Sequence, residues 1–196
     1  MTPLPKPADS PLPDLVNAAA DAGLLDVAYA SLDSPVGTLL LATTPRGLVR
    51  IAYLDGGEQE SEVLEQLSVK VSPRVLSAPR KLDEPRRELE QYFKGARPRF
   101  EIPLDWQLTH GFGRRVLEAT ARIPFGSISS YKLVAADAGS PRGSRAAGNA
   151  LGSNPLPIVV PCHRVLHSGG GLGGYTGGID RKRALLAIES GQSSLV

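Results

Sequence analysis

The stretch Ser130–Leu151, SYKLVAADAGSPRGSRAAGNAL, carries two short helix patterns separated by a turn. Ser129 or Ser130 is placed to cap a first helix, because a serine oxygen can accept from a free backbone N–H, and Gly139 is placed to end that helix. Ser140-Pro141 resembles a helix start, with serine as the cap and proline in the first turn. Two short helices joined by a glycine-containing turn predict a helix-turn-helix.

The second helix of this pair is built almost entirely from small residues. Small side chains let a backbone come close to the surface that it faces, and that surface is either another protein helix or DNA. Arg145 is the one long cationic side chain of the helix, and in the DNA interpretation it reaches into a groove. The candidate DNA-contacting residues are Ser130, Arg145, Ala146, Ala147, Gly148 and Asn149.

The only cysteine of the chain, Cys162, lies downstream of the helix pair beside His163 and Arg164. A thiolate is a strong nucleophile and nearby cations lower a thiol pKa, so Cys162 is the candidate reactive group. A single cysteine excludes an intramolecular disulfide, a CxxC redox pair and a cysteine-rich zinc site. Adjacent side chains of an extended chain point to opposite faces, so a water or a kinked backbone would have to join Cys162 to His163. The alternative is a buried structural cysteine, which is the commoner state of a lone cysteine.

The segments around Cys162 are expected to position it. Ile158–Val160 predicts a short buried strand that delivers the cysteine, after a sharp turn at Asn154-Pro155. Residues 168–178 contain seven glycines, which predicts a mobile loop or wing.

A last helix is predicted over Arg181–Glu189, with Asp180 as its cap. Glu189 is unfavourably placed, because a carboxylate near a helix C-terminus opposes the helix dipole. A partner such as His163 would explain it, and otherwise it is a solvated surface residue.

The residues before the helix pair predict a separate scaffold domain without a catalytic constellation. Short apolar runs separated by tight turns predict an antiparallel meander, and two helix patterns follow it. The proline-rich start has no apolar core segment and predicts a flexible tail. The predicted strands are Val27–Leu32, Gly37–Ala42 and Gly47–Tyr53, the helices Glu58–Val69 and Leu82–Phe93 and, further along, Thr109–Ala121; the predicted domains are 1–24 (tail), 25–105 (scaffold) and 106–196 (helix-turn-helix and cysteine).

Charge is unevenly distributed over the two parts of the chain. Residues 1–106 carry a net charge of −4 and residues 107–196 carry +6. A basic half that holds a reactive cysteine favours a polyanionic partner, and nucleic acid is the first candidate for that partner. No segment is long and apolar enough to span a membrane, and one cysteine without an export signal predicts a cytoplasmic protein.

The order and spacing of several short motifs resemble the O6-alkylguanine-DNA alkyltransferase family. The resemblance covers residues 109–191 closely and residues 25–104 by general layout. It implies an α+β fold, in which a small ribonuclease H-like domain with an antiparallel sheet precedes a winged helix-turn-helix-like domain that carries the reactive cysteine. The motifs are Ile123-Pro124-Phe125-Gly126, Ser130-Tyr131, Ala138-Gly139-Ser140-Pro141, Asn154-Pro155, Ile158 to Val165, Gly174-Tyr175 and Gly177-Gly178.

The resemblance also implies a function for the site residues. The chain would flip an alkylated nucleotide out of double-stranded DNA and move the alkyl group from guanine O6, and in some cases thymine O4, to its own cysteine. It would act once, as a monomer, without cofactor or metal. By this resemblance Cys162 is the nucleophile, His163 is the base that acts through a water, and Glu189 orients His163. Tyr131 donates a hydrogen bond to the departing guanine, and Arg145 enters the DNA stack in place of the flipped nucleotide. Asn154 is the hinge, and the pocket contacts are Val160, Tyr175 and Thr176.

Two departures from the family and three rival functions accompany this interpretation. The chain cannot build the cysteine-containing zinc site of some relatives, and Asp137 stands where the family often has an apolar residue. The rivals are a non-catalytic binder of alkylated DNA, a cysteine hydrolase and a purely structural winged helix. The intact Cys162 disfavours a non-catalytic binder, and the small number of histidines disfavours a cysteine hydrolase. A purely structural winged helix would keep its function when Cys162 is replaced by serine.

Overall fold

The computed structural model describes Ala18 and residues 22–54 and 59–191. The predicted tail lies almost entirely outside these residues. The chain forms a four-stranded sheet with two helices, followed by a helical part that holds a two-stranded ladder.

The sheet has the strand order β3-β2-β1-β4. Strands β1 (Val27–Leu32), β2 (Leu39–Thr44) and β3 (Gly47–Tyr53) form the predicted antiparallel meander. Strand β2 begins two residues later than predicted, because Gly37 has a φ of 101° and belongs to the turn. The short β4 (Val75–Ser77) was not predicted and pairs parallel with β1, which makes the sheet mixed.

Gly47 lets the segment that ends the sheet domain approach strand β3 closely. Its φ is 132°, and a Cβ there would overlap the carbonyl group of Pro103. The backbone N–H of Leu48 donates to the Pro103 carbonyl oxygen at 2.8 Å, and Asp105 donates back to Leu48 at 2.8 Å. The chain therefore leaves the sheet domain along the edge of β3.

The predicted helices of both parts are present, with small differences at their ends. The start predicted at Glu58 lies outside the described residues. A 3-10 turn, Pro79–Leu82, precedes the second helix. The helices are α1 (Glu60–Lys70), α2 (Asp83–Phe93), α3 (Gly111–Ala121), α4 (Tyr131–Asp137), α5 (Ser144–Gly152) and α6 (Ile179–Glu189).

Helices α4 and α5 form the predicted pair, but α5 starts later than expected. The hydroxyl oxygen of Ser130 accepts from the N–H of Leu133 at 3.3 Å, so Ser130 caps α4. The prediction that Ser140 caps α5 is wrong: the N–H of Gly143 donates to the Ser140 carbonyl at 2.8 Å, which closes a separate turn before the helix. The N-cap of α5 is Gly143.

Two further local predictions are wrong. Ile158–Val160 is a turn rather than a strand, since Ile158 has a φ of 75° and the N–H of Val160 donates to the Leu156 carbonyl at 2.8 Å. Asp180 does not cap α6, which starts at Ile179 after Gly178, and its carboxylate pairs with Arg183 at 3.0 Å.

One apolar core joins the sheet to the helical part. Leu39, Leu41 and Ile51 of the sheet belong to the same buried cluster as Leu156 and Val160 of the turn that leads to the cysteine. The N–H of Ile51 also donates to the Pro155 carbonyl at 2.8 Å. Burial of one such side chain contributes about 2 kcal/mol, so the sheet stabilises the cysteine turn directly. In the described ranges, none of the helices is long and apolar enough to cross a membrane.

Candidate active site

Cys162 begins a short 3-10 turn, Cys162–Arg164, and is 5% exposed. The turn is followed by β6 (Val165–Leu166), which pairs parallel with β5 (Ser129–Ser130) just before α4. This ladder brings the cysteine next to the start of the helix pair. The left-handed backbone of Ile158 is strained for a β-branched residue, and the buried turn around it holds that conformation.

Asn154 connects α5 to the cysteine through its side-chain amide. Its Nδ2 donates to the Val160 carbonyl at 2.9 Å and to Cys162 Sγ at 3.2 Å, and its Oδ1 accepts from the N–H of Leu156 at 3.0 Å. The Asn154 side chain thus stabilises the turn through these hydrogen bonds and supplies a donor that stabilises a thiolate at Cys162. The Val160 carbonyl also accepts from the N–H of Cys162 at 2.8 Å, so both its lone pairs are in use and the backbone contact to a base predicted for Val160 would have to displace one of them.

The thiol is not the activated thiolate that its sequence neighbours suggested. Burial raises the pKa of Cys162 to about 11, although the Asn154 hydrogen bond and the charge of Lys182 act in the opposite direction. The charge of Lys182 thus favours the thiolate, whereas the guanidinium of the adjacent Arg164 binds the Glu189 carboxylate. Cys162 is protonated at neutral pH and needs a base before it can react.

Lys182 has a fully buried side chain that sequence reasoning missed. Its ammonium group donates to the carbonyl oxygens of Val165 at 2.7 Å and of Leu172, with Gly174 at 3.5 Å. Burial lowers the Lys182 pKa, and the charge of Cys162 raises it in turn. The glycine-rich segment 168–178, predicted to be mobile, is thus attached to α6 through its carbonyl groups.

Glu189 is the centre of a buried charged cluster. Its Oε1 accepts from Tyr92 Oη at 2.7 Å and pairs with His163 Nε2 at 2.7 Å, and Arg164 binds both carboxylate oxygens at 2.8 Å. Burial alone would raise the Glu189 pKa, but the hydrogen bonds from His163 and Arg164 hold it at about 2. The predicted contact between Glu189 and His163 is present, and it explains a carboxylate at the end of a helix.

His163 is neutral in the resting protein. It is fully buried, and burial lowers its pKa even though Glu189 acts against that shift. Because the Glu189 carboxylate can only accept, the imidazole hydrogen is assigned to Nε2. Nδ1 is then a buried acceptor without a hydrogen-bond partner among the described residues.

A cavity of about 640 Å³ opens beside the sulfur. It is lined by Cys162 itself, by side chains of the helix pair and by the glycine-rich segment. Its volume is within the range of about 300–1,000 Å³ that is typical of small-molecule sites. The lining includes the predicted residues Tyr131, Arg145, Gly148, Tyr175 and Thr176.

The predicted DNA-contacting residues do not all face the same way. Arg145, Ala146 and Asn149 are exposed on α5. Ala147 is fully buried in the core, so its side chain cannot touch DNA. Tyr131 lies against Gly148, where an added Cβ would meet its ring at 3.8 Å. Burial raises the Tyr131 pKa, which keeps its hydroxyl protonated and able to donate.

Both parts of the chain match one protein family. Residues 27–106 match the 6-O-methylguanine DNA methyltransferase, ribonuclease-like domain, and residues 111–191 match the 6-O-methylguanine DNA methyltransferase, DNA binding domain. The chain belongs to the 6-O-methylguanine DNA methyltransferase family.

Relatives in this family cover most of the chain. A methylated-DNA–protein-cysteine methyltransferase of Mycolicibacterium paratuberculosis is 38% identical over 83% of this chain and 92% of its own length, and one of Methanosarcina barkeri is 35% identical over 82% and 96%. The crystal structure of Mycobacterium tuberculosis OGT in complex with DNA has a TM-score of 0.71 at 37% identity and covers 84% of this chain and 94% of that one.

Two tyrosines of the methyltransferase ribonuclease-like domain reach the site and were missed by sequence reasoning. Tyr92, on α2, donates to Glu189, and Tyr53, at the end of β3, lies 2.7 Å from Tyr175, oxygen to oxygen. The expectation that this domain contributes only scaffolding is therefore too narrow. No sequence motif marks either tyrosine, since each is an apolar position of an ordinary strand or helix pattern.

Proposed function

We propose that this chain repairs alkylated DNA by moving an alkyl group from guanine O6, and in some cases thymine O4, irreversibly to Sγ of Cys162. The observation that carries the proposal is the position of Cys162: its sulfur lines a cavity of about 640 Å³, which has room for a nucleobase, and the helix pair of the matched DNA-binding domain forms part of the lining. DNA is thus the macromolecular partner, and the alkylated base is the substrate.

The reaction is a single displacement. The sulfur attacks the alkyl carbon attached to O6, the carbon–oxygen bond breaks as the carbon–sulfur bond forms, and the electron pair of the broken bond leaves with the guanine. The guanine takes up one proton and is restored, while the cysteine becomes a thioether. Since the chain has no second cysteine to receive the group, each molecule acts once.

The proton of the thiol leaves through His163. Nε2 is held by the Glu189 carboxylate, so Nδ1 is the nitrogen that can accept, through a bridging water. The imidazolium that forms is stabilised by Glu189, which Arg164 and Tyr92 keep ionised. Asn154, which donates to the sulfur, stabilises the developing thiolate.

Residues of the helix pair contact the departing base and the DNA. Tyr131 can donate to a ring nitrogen of guanine as negative charge develops there. Arg145 is the exposed long side chain at the start of α5 and fits a finger that fills the place of the flipped nucleotide. A damaged pair costs less to open than a sound one, which favours the lesion over normal guanine.

The hydrolase alternative is disfavoured by the same geometry. Within the described residues, Cys162 Sγ receives its side-chain hydrogen bond from Asn154 rather than from a histidine. A cysteine hydrolase needs a histidine in direct contact to form its ion pair.

Intact-mass spectrometry with peptide mapping tests the proposal. After incubation with a duplex that contains one O6-methylguanine, we expect a gain of one methylene unit on Cys162 that saturates at one group per protein. A duplex with unmodified guanine and the variant Cys162→Ser are the controls, and neither should show the gain. No gain with lesion-selective binding would instead identify a non-catalytic binder.

The proposal includes a monomer as the working form, because one chain supplies the acceptor cysteine, the base and the carboxylate that holds the base. Sedimentation of the free protein at its 20.7 kDa mass and a one-to-one complex with a short duplex are the expected results.

A further inference from the structure

Tyr53 joins the sheet domain to the wall of the alkyl-acceptor cavity. It ends β3 and is 5% exposed, and its hydroxyl lies 2.7 Å from the hydroxyl of Tyr175. Tyr175 lines the cavity beside Cys162. The two tyrosine rings also form a T-shaped contact, with 6.2 Å between their centroids.

The Tyr53 ring has little room to move. The guanidinium of Arg181 lies over it, 4.7 Å from the ring centroid, while Arg181 Nε donates to the Val36 carbonyl at 2.6 Å and Nη1 to the Gly177 carbonyl at 3.0 Å. Gly177 also lies against the ring, since a Cβ at Gly177 would be only 2.6 Å from it. Tyr53 is therefore a fixed point that belongs to the rigid sheet.

Tyr175, in contrast, lies in the glycine-rich segment. Glycines at 173, 174, 177 and 178 surround it in sequence, so these neighbours have no side chains that would hold its ring in place. Its ring stands edge-on to His163, 6.4 Å between centroids. The hydrogen bond to Tyr53 therefore determines the position of the Tyr175 ring.

We propose that Tyr53 is a positioning residue that sets the range of alkyl sizes the cavity accepts, because its hydroxyl holds Tyr175 as a fixed wall beside Cys162. This inference rests on the proposed function. Burial raises the pKa of both tyrosines, so both are neutral and the bond is an ordinary one between two hydroxyls. When the bond is lost, the Tyr175 ring can move away from the sulfur and admit a longer alkyl group.

The test compares two lesions in the same duplex sequence, O6-methylguanine and O6-n-butylguanine. Single-turnover transfer rates to Cys162 are measured for the wild type, Tyr53→Phe, Tyr175→Phe and the double variant. Phenylalanine keeps the ring and its packing with Arg181 and removes only the hydroxyl. Tyr29→Phe, a half-buried tyrosine of the same sheet outside the cavity lining, is the matched control.

We expect Tyr53→Phe to raise the butyl-to-methyl rate ratio about fivefold, the effect of one ordinary hydrogen bond. Tyr175→Phe should raise it equally, the double variant should add nothing, and Tyr29→Phe should leave it unchanged. A purely structural role would lower both rates by the same factor and leave the ratio alone, which would overturn the inference.

Additive effects of the two single variants would also overturn it, because Tyr53 would then not act through Tyr175. Failure of the proposed function would be distinguishable, because the wild type would then transfer neither the methyl nor the butyl group and no butyl-to-methyl rate ratio could be measured.

Discussion

The Cys162 thiol is protonated at neutral pH, because burial raises its pKa to about 11. Its activation is left to the neutral His163, whose pKa burial lowers below its usual 6.5. The neutral base is present above that lowered pKa and is lost as the pH falls through it. At the scale of single residues, the site therefore consists of an unreactive thiol beside a base that is ready at physiological pH.

We expect the transfer rate of the wild type to be flat at neutral pH and to fall only as the pH drops through the lowered His163 pKa, which lies below the usual 6.5. In His163→Gln the acid limb should disappear, the rate at pH 7.5 should drop about 10²-fold or more, and the remaining rate should rise with pH towards the thiol pKa of about 11. Rates of methyl transfer measured from pH 5 to pH 10 check this. An unchanged plateau in the variant would mean that His163 is not the base.

Among the elements, the turn from Asn154 to Pro161 decides the position of the sulfur. It replaces the predicted strand, and the Asn154 side chain holds it through three hydrogen bonds. Loss of these three hydrogen bonds would leave the buried Val160 carbonyl, the N–H of Leu156 and the Cys162 thiol with fewer hydrogen-bond partners.

Asn154→Ala should lower the free energy of unfolding by about 3 kcal/mol and raise the thiol pKa, because buried groups lose their partners and the thiolate loses a donor. The matched variant Asn149→Ala removes an exposed amide of α5 and should change stability by less than about 0.5 kcal/mol. Urea denaturation and the pH dependence of thiol alkylation measure the two effects. Equal stabilities of the two variants would contradict the role of the turn.

Arg145 is exposed on helix α5, and Arg142 is exposed in the turn before it. Arg145→Ala should slow methyl transfer from a duplex about 10-fold or more, because an extruded nucleotide loses the group that replaces it in the stack. Transfer from the free base O6-methylguanine should be unaffected, since no flipping is needed. Arg142→Ala should weaken binding to any duplex modestly and leave the ratio of the two transfer rates unchanged.

The charge of the whole molecule is divided between its two parts, −4 in residues 1–106 and +6 in residues 107–196. Part of the positive charge is used internally, since Arg164 and Lys182 are buried. The exposed remainder gives the helical part an electrostatic preference for DNA, while the sheet part is acidic.

Binding to undamaged duplex DNA should therefore weaken steeply with salt, and log K should fall linearly with log salt with a slope of about −0.9 for each phosphate contact. Arg142→Ala should make that slope less steep by about one. Fluorescence anisotropy between 50 and 200 mM salt, about the range over which counterion release is usually measured, checks this. A flat dependence would contradict a phosphate-dominated interface.

Several features could be predicted from the sequence because they depend on local chemistry. Glycine, proline and serine positions predicted the helix pair, short apolar runs separated by tight turns predicted the meander, and the single cysteine excluded intramolecular disulfides by count. The motif spacing also indicated the family that both parts of the chain match. The cytoplasmic location and the domain limits stay predictions.

Only the tertiary structure decided the electrostatics of the site. The sequence neighbours of Cys162 suggested that Arg164 activates the thiol, but Arg164 binds Glu189. The charge that acts on the sulfur belongs to Lys182, which lies twenty residues after Cys162 in the chain. Tyr53 and Tyr92 reach the site from the sheet domain across long sequence separations. Burial and charge act through space, and neighbours in space are created by packing that no local pattern in the chain records.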